Sequence, residues 1–427
     1  MISESDRGTL RSLASRWLEL ASQPVMQERK RLWRAVHDLR AIRPVILFET
    51  AWIDGYVADS ELACADPFLR SIEKAMRITL RQADELGDDL VVEPYYRLGW
   101  RMDLSDYGVP VEIHSAHAKE ESIAYSFSFP IAGPPDIARL KPRRIRVDRD
   151  ESHRRRAVLE DVIGDLLPIR LGNYDPFVYE FDVGEYGDLG FTGNFFFGLT
   201  WQLYRFIGNQ RLLYWAYDEP DALRKLMSYL LEDRLTLFEY FERERLLVPN
   251  TDSQMAGPRS YGYVSDLPEP DACDSVTLKS LWGWAESQEF EMISPTMYRE
   301  FVLPYLARIA ERFGLIYYGC CERVDDRLEA IMDAMPNLRS VSVSGWSQLA
   351  KCAEMLGTKY VYSRKPRPAY ISGPNPDWEL LEKDLRDTYA AARDCNLEIL
   401  FRDVYTTNGD RARLRRWVDM TKSIFNM

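Results

Sequence analysis

The fold is decided by "LRSVSVSGWSQLAKCAEMLGTKYVYSRK", residues 338–365, where two strand-like runs flank an amphipathic segment. The runs "LRSVSVSG" (338–345) and "KYVYSRK" (359–365) alternate or cluster the β-branched and aromatic side chains that favour strands. Between them, "SQLAKCAEMLG" (347–357) has apolar residues at helical spacing and ends at Gly357, a residue suited to a helix C-terminus. A strand, a helix and a strand joined by short connections predict two parallel strands with the helix packed outside them.

The same pattern continues on both sides of this unit. Further strands are predicted at 314–321 and 397–403, and further helices at 325–335, 377–394 and 409–425. Upstream, the strand-like segment 276–288 precedes Ser294 and Pro295, which open a helix that runs to Phe313. At least five strand–helix units therefore span 276–427, and this repetition predicts a (β/α)8 TIM barrel. A doubly wound nucleotide-binding sheet is disfavoured, because the chain has neither a G-x-G-x-x-G nor a G-x-x-x-x-G-K-[ST] loop.

The N-terminal third has a different pattern. Residues 5–42 predict two Arg-rich helices, 66–86 predict a third, and short aromatic strands are predicted between 90 and 147. We therefore predict a helical and strand elaboration formed by residues 1–149. It would pack as one unit with a barrel formed by residues 150–427.

Composition excludes several classes of function. A net charge of −12 and a pI near 5.1 argue against nucleic acid as a partner, since phosphate backbones require a basic surface. No apolar run approaches the roughly 20 residues that a membrane helix needs. The six cysteines have no framework spacing, which is typical of a reducing compartment. We expect a cytoplasmic protein.

Polar and thiol side chains follow the predicted strands at their C-terminal ends, where barrels of this kind carry their active sites. They are Glu286, Gln288, Cys320, Cys321, Glu322, Ser342, Ser344, Arg364, Lys365, Arg402 and Asp403. Strand alternation places Trp282, Trp284, Glu286 and Gln288 on one face, so that aromatic rings lead up to a carboxyl and an amide group. We predict that the two tryptophans bind substrate.

The stretch "YYGCCE", residues 317–322, holds the two adjacent cysteines. Alternation places Tyr318, Cys320 and Glu322 on the same face and sends Cys321 to the other, against a helix. Cys320 is then either a buried apolar side chain or a zinc thiolate. Glu322 and Asp403 are the carboxylates that could complete a zinc site, and Cys321 is the less favoured ligand.

Three segments resemble the uroporphyrinogen decarboxylase superfamily, and more narrowly its corrinoid-linked methyltransferase branch. They are "GLIYYGCCE" (314–322), "SVSVSGWSQLAKCAEMLG" (340–357) and "EILFRDVYTTNGDRARLRRWVDM" (398–420). The resemblance covers 150–427 and is clearest from residue 276 onward. The Arg-rich N-terminal segment of the decarboxylase itself has no counterpart here.

The resemblance implies a site at the barrel mouth. In that branch, zinc is held by a His-x-Cys at the end of one strand and by a Cys near the end of the last. Cys320 stands at the first Cys position, Tyr318 replaces the His, and Asp403 is the nearest equivalent of the last Cys. The alternatives are thus a zinc site formed by Cys320, Glu322 and Asp403, and a site without metal.

The function implied by the resemblance is demethylation of a small methyl ether or amine, with transfer of the methyl group to a corrinoid protein or related acceptor. Glu286, Gln288 and Asp403 are the expected catalytic residues. The expected substrate-binding residues are Trp282, Trp284, Tyr318, Arg364, Lys365 and Arg402. The corrinoid would come on a partner protein, because the chain has no Asp-x-His-x-x-Gly signature. A homodimer is left open.

The alternative function is a metal-free decarboxylase or lyase, in which the basic residues bind substrate carboxylates. A binding module without catalysis is disfavoured, because several ionisable groups converge on the mouth. Two other groups of residues carry less weight. Glu112, His114 and His117 are interpreted as a solvated strand edge, and the acidic residues between 180 and 188 as a loop.

Overall fold

The computed structural model describes residues 2–115, 125–173, 195–272 and 276–427. His117 and the acidic residues between 180 and 188 lie outside the described residues. The strands are β1 Val45–Phe48, β2 Tyr96–Gly99, β3 Arg101–Leu104, β4 Ile113–Ser115, β5 Tyr125–Phe127, β6 Ile145–Asp148, β7 Ile169–Gly172, β8 Met255–Gly257, β9 Ser260–Tyr261, β10 Trp282–Ala285, β11 Leu315–Tyr318, β12 Leu338–Val343, β13 Val361–Arg364 and β14 Asn396–Phe401. The helices are α1 Glu4–Ala21, α2 Pro24–His37, α3 Pro67–Glu85, α4 Arg149–Ile163, α5 Leu199–Asp218, α6 Pro220–Arg243, α7 Pro295–Phe301, α8 Leu303–Ala310, α9 Leu328–Ala334, α10 Leu349–Leu356, α11 Ala369–Ser372, α12 Trp378–Ala392 and α13 Ala412–Ile424.

A parallel sheet of six strands forms the centre of the molecule, in the order β1, β14, β13, β12, β11, β10. Every residue of β10, β11, β13 and β14 is buried, as expected where both faces of a parallel sheet are covered. The predicted parallel arrangement of the last four strands is therefore confirmed. The six strands are compatible with a TIM-barrel-like fold, but the described pairings do not include a closed ring of eight.

The first strand of the sheet comes from the N-terminal part of the chain. Val45–Phe48 pairs in register with Glu398–Phe401 of β14. The predicted elaboration of residues 1–149 thus contributes one strand to the sheet, whereas the sequence interpretation had placed the sheet after residue 150. The reason is the length of the run "VILF", since four apolar residues do not distinguish a buried strand from other buried segments.

Two predicted elements are shorter than the sequence pattern indicated. The helix expected from Pro295 to Phe313 is divided into α7 and α8, because Pro304 has no N–H and its ring crowds the preceding turn. The strand expected over 276–288 is confined to Trp282–Ala285. Before it, Ser280 N donates to Thr277 O at 2.9 Å and closes a 3-10 turn.

Three sets of buried side chains cover the two faces of the sheet. The largest packs against the surrounding helices and includes Tyr318 and Phe401. On the other face, one set joins the N-terminal helices to Leu47 and Leu400, and a smaller set includes Tyr317. On that second face α2 reaches the sheet, where His37 Nε2 lies 3.2 Å from Glu398 Oε2 and 3.2 Å from Ser260 Oγ.

None of the described helices has both the length and the apolar character needed to cross a membrane.

Candidate active site

Three carboxyl groups meet beyond the C-terminal ends of β10 and β11, and we call Glu286, Glu289 and Glu322 the carboxyl cluster. Glu286 Oε2 accepts from Gln288 N at 2.8 Å, while its Oε1 is buried and has no hydrogen-bond partner among the residues that the structure describes. Glu289 Oε2 accepts from Thr200 Oγ1 at 2.7 Å. Burial is the main reason why the pKa of each of the three carboxyls is raised, and for Glu286 the negative charge of Glu289 adds to it.

Glu286 is the member of this cluster whose carboxyl is the candidate catalytic group. It is 1% exposed, and burial, followed by the charge of Glu289, raises its pKa well above the usual carboxyl range, which favours the protonated form. A Cβ added at Gly198, which precedes α5, would overlap its Oε1, so glycine is required for the carboxyl to lie there. A buried carboxyl with a raised pKa, and with one oxygen that has no partner among the described residues, is the arrangement expected of a general acid.

Glu322 has a structural role. Its Oε1 accepts from Ser287 N at 3.0 Å and its Oε2 from Cys320 N at 2.7 Å. These two bonds tie the loop after β11 to the loop after β10. Glu322 is therefore a positioning residue, and both of its carboxyl oxygens are engaged.

The two cysteines lie together, and with Glu49, Arg402 and Asp403 they form what we call the thiol cluster. Cys320 Sγ and Cys321 Sγ are 3.6 Å apart, and Cys321 Sγ lies 3.1 Å from Asp403 Oδ2. Arg402 lies 3.6 Å from Cys320 Sγ, 3.5 Å from Glu49 Oε2 and 3.3 Å from Asp403 Oδ1. The contact with Cys321, followed by burial, raises the pKa of Cys320 well above its usual value.

The predicted separation of the two cysteines is wrong. Both sulfurs belong to one cluster, because β11 ends at Tyr318 and Gly319 then adopts a left-handed φ of +98°. Alternation by two residues does not continue through that turn, so Cys320 lies with Tyr317 rather than with Tyr318. Tyr318 points to the helices instead, where its Oη lies 2.8 Å from Tyr298 Oη.

We expect Gly319→Ala to destabilise the protein and to disturb the thiol cluster. Alanine at a φ of +98° is strained, and its Cβ would lie 3.0 Å from Ser342 Cβ. A cost of about 1–3 kcal/mol in the free energy of unfolding is typical of such a conformation. Urea denaturation measures it. Gly409→Ala is also at positive φ (+78°) but has open space around it, so it should cost less. Equal costs would show that contact with Ser342 is unimportant.

The two basic residues at the end of β13, Arg364 and Lys365, lie on opposite faces of the sheet. Lys365 Nζ donates to Tyr317 Oη at 2.7 Å and to Ser363 Oγ at 2.5 Å, and burial lowers its pKa to about 8. Arg364 does not reach the site. It points outward to α12, where it donates to Thr388 Oγ1 at 3.0 Å and pairs with Asp384.

The arrangement of Cys320, Glu322 and Asp403 does not fit the zinc site that the resemblance implies. Both oxygens of Glu322 are taken by backbone amides, and the guanidinium of Arg402 lies beside the sulfur of Cys320. Among the residues that the structure describes, no group of three or more His, Cys, Asp and Glu side chains is arranged to hold a metal ion.

The two predicted tryptophans lie on the same face of the sheet as Cys320. Trp284 Nε1 donates to Gly319 O at 3.0 Å, and its ring packs 4.7 Å from that of Phe196. Trp282 Nε1 donates to Gly262 O at 3.0 Å. Both indoles are thus fixed by the backbone, and substrate binding by them stays a prediction.

Sequence reasoning missed Glu49 and Glu289. Glu49 directly follows β1, and it was missed because that strand was not predicted. The stretch "VILFE" does show an apolar run that ends in a carboxylate. Glu289 lies in a 3-10 turn after β10, where strand alternation says nothing about direction. A rule that searched the loops after the strands, rather than the strands themselves, would have found both.

Comparison with known proteins bears on the fold. No protein-family model matches the chain. No curated protein matches it either. Among solved structures, the chain is similar to one described as a methyltransferase from Methanosarcina mazei. The TM-score is 0.50 at 11% sequence identity, and the match covers 93% of this chain and 99% of the other. At this identity the likeness shows a shared fold over nearly the whole of both chains.

Proposed function

We propose that this chain is a methyltransferase of the uroporphyrinogen decarboxylase superfamily, built on a closed (β/α)8 barrel. It would remove the methyl group from a small methyl ether or amine and pass it to a corrinoid protein. The observation that carries this proposal is the buried carboxyl of Glu286 with its unpartnered Oε1. The fold likeness to a solved methyltransferase supports it.

The chemical need is for a proton at the leaving group. An ether oxygen or amine nitrogen leaves poorly as an anion, so a positioned acid lowers the barrier to methyl transfer. Glu286 meets that need, because burial and the neighbouring carboxyl groups raise its pKa and so favour the form that can donate a proton. A reduced corrinoid, when bound, supplies the nucleophile that accepts the methyl group.

The neighbouring groups keep that acid protonated and in place. Glu289 raises the pKa of Glu286 through its negative charge, and Gln288 N fixes one of its oxygens. Glu322 ties the adjoining loops together. Lys365 and Arg402 supply positive charge on the side of Cys320, where an anionic part of the donor would be held.

Replacing the two cysteines separately tests the thiol cluster. We expect Cys320→Ala and Cys321→Ala to lower methyl transfer to cob(I)alamin by comparable factors, on the order of tenfold each, because loss of either thiol alters contacts of one cluster. Cys352→Ala, a buried thiol on α10, is the matched control and should leave the rate unchanged. If Cys321→Ala keeps full activity while Cys320→Ala loses it, the two thiols act separately.

Zinc content of the same preparations tests the alternative to acid catalysis. We expect an active wild-type protein without stoichiometric zinc, since Glu322, one of the two carboxylates expected in the zinc site, accepts from backbone amides through both of its oxygens. Zinc bound to the wild type and lost from both cysteine variants would contradict this and would assign the ion to the two sulfurs.

A metal-free decarboxylase is the second candidate. The buried ammonium of Lys365 favours it, because this cation donates to the hydroxyls of Tyr317 and Ser363 and could hold a substrate carboxylate. The two functions differ in product. A decarboxylase releases CO2 and needs no corrinoid, whereas the proposed methyltransferase leaves the carbon skeleton of its donor intact apart from one methyl group.

A further inference from the structure

A cavity that shares no residue with the carboxyl or thiol cluster lies between α1, α3, the segment that leads into β2, and the β8–β9 hairpin. Its volume is about 630 Å³ when the space open to solvent at its mouth is included. Its apolar wall includes Trp17, Leu90, Val91 and Met255. Its polar wall includes Thr79, Glu93, Arg97, Gln254 and Arg259.

Three polar atoms on this wall are buried without a partner among the described residues. They are Thr79 Oγ1, Gln254 Oε1 and Arg259 Nε. Each belongs to a side chain that is at most 7% exposed. Leaving such a group unsatisfied costs about 1–3 kcal/mol, so three of them around one cavity indicate that a ligand satisfies them.

The charged side chains on the cavity wall indicate which charge a ligand would carry. Arg97 pairs with Asp252, and Glu93 accepts from Lys30 at 2.5 Å. Arg259 differs, because it forms no ion pair within 4.0 Å among the described residues; it donates to Gln82 Oε1 at 3.2 Å and lies over the ring of Tyr261. Among the cations of the cavity wall, Arg259 is thus the one without a directly paired carboxylate in the described part of the chain.

The hairpin holds Arg259 in position. Arg259 lies in the turn between β8 and β9 with a left-handed φ of +64°, a conformation that favours glycine. Gln82 Oε1 also accepts from Thr50 Oγ1 at 2.7 Å, and Thr50 follows Glu49 of the thiol cluster. Arg259 is thereby linked to the end of β1 through one amide group.

We propose that this cavity binds a small organic carboxylate that also carries a hydroxyl group. The carboxylate would pair with Arg259, Thr79 would donate to it, and Gln254 Oε1 would accept from the hydroxyl. The carbon skeleton would pack against Leu90, Val91 and Met255. This assignment does not depend on methyl transfer, since it uses none of the residues of the carboxyl or thiol cluster.

Calorimetric titration of the full chain tests the proposal with two carboxylates, 4-hydroxybenzoate and 4-hydroxybutanoate, and with the neutral 4-hydroxybenzamide. At least one carboxylate should bind, and 4-hydroxybenzoate should bind at least about tenfold more tightly than its amide. Arg259→Gln should weaken carboxylate binding at least about tenfold, and Arg259→Lys should retain part of it. A melting-temperature shift with ligand, present in the wild type and absent from Arg259→Gln, gives a second readout.

Three results would overturn the proposal. Neither carboxylate binds at about 10 mM, a concentration at which even a weak specific site is occupied. The benzamide binds as tightly as the benzoate, which would remove the role of charge. A folded Arg259→Gln variant binds the carboxylate as the wild type does. The comparison of acid with amide on the wild type needs no variant, so it holds even if a substitution prevents folding.

Discussion

Glu286→Gln should lower the rate of methyl transfer to cob(I)alamin by about 10²–10⁴-fold, the range typical of removing a general acid. Glutamine keeps the size and one hydrogen-bond acceptor of the side chain but has no proton of the required acidity. The wild-type rate should fall as pH rises through the raised pKa of Glu286, because the protonated form is the active one. The variant should lack that fall. Loss of cob(I)alamin absorbance under anaerobic conditions measures both rates.

A structural cause for the loss can be separated from a chemical one. With the buried acid removed, the variant should be at least as stable as the wild type above the pH at which a free glutamate ionises. The sign follows from linkage: a raised carboxyl pKa stabilises the fold at low pH, and that stability is lost as pH rises through the folded-state pKa. Glu379→Gln, an exposed residue of α12, is the matched control for charge. A folded Glu286→Gln variant with the wild-type rate would exclude acid catalysis by this residue.

Arg402→Met should lower the free energy of unfolding by about 3 kcal/mol, because it leaves two carboxylates without their cation. The Arg402 side chain is 15% exposed and lies within 3.5 Å of both Glu49 and Asp403. Methionine retains the volume of the side chain, so packing loss is kept small. Urea denaturation measures the change.

An exposed ion pair provides the control for Arg402. Arg386 pairs with Glu382 one turn away on α12, at 2.6 Å, with side-chain exposures of 65% and 47%. Arg386→Met should cost less than about 1 kcal/mol, since solvent screens that pair. If the two variants lose the same amount of stability, the thiol cluster does not hold its carboxylates through Arg402.

The parallel sheet was predictable because strands covered on both faces form continuous apolar runs. β11 to β14 each show such a run, and short connections with helices between them fix the parallel direction. For the same reason, the predicted ends of these four strands lie within a few residues of the observed ends. β1 was missed because its four residues carry too little pattern to separate a strand from any other buried segment.

The site was predicted in part, and its errors have one physical origin. Alternation applies only while the chain stays in a strand, and catalytic residues lie where strands end. Lys365, Arg402 and Arg364 were all predicted at the site. Lys365 and Arg402 do lie on that side of the sheet, whereas Arg364 points to α12. The left-handed turn at Gly319 brought both cysteines to the same side, which no count along the sequence could have given.

The most direct test of the account follows a labelled methyl group. The wild-type chain is incubated with cob(I)alamin and with trideuteromethyl ethers and amines of small size, and the cobalamin is then examined by mass spectrometry. The account predicts enzyme-dependent trideuteromethylcobalamin, formed from at least one donor and strongly reduced with Glu286→Gln. Absence of labelled cobalamin with every donor, together with release of CO2 from a carboxylated substrate, would contradict methyl transfer and assign the chain to decarboxylation.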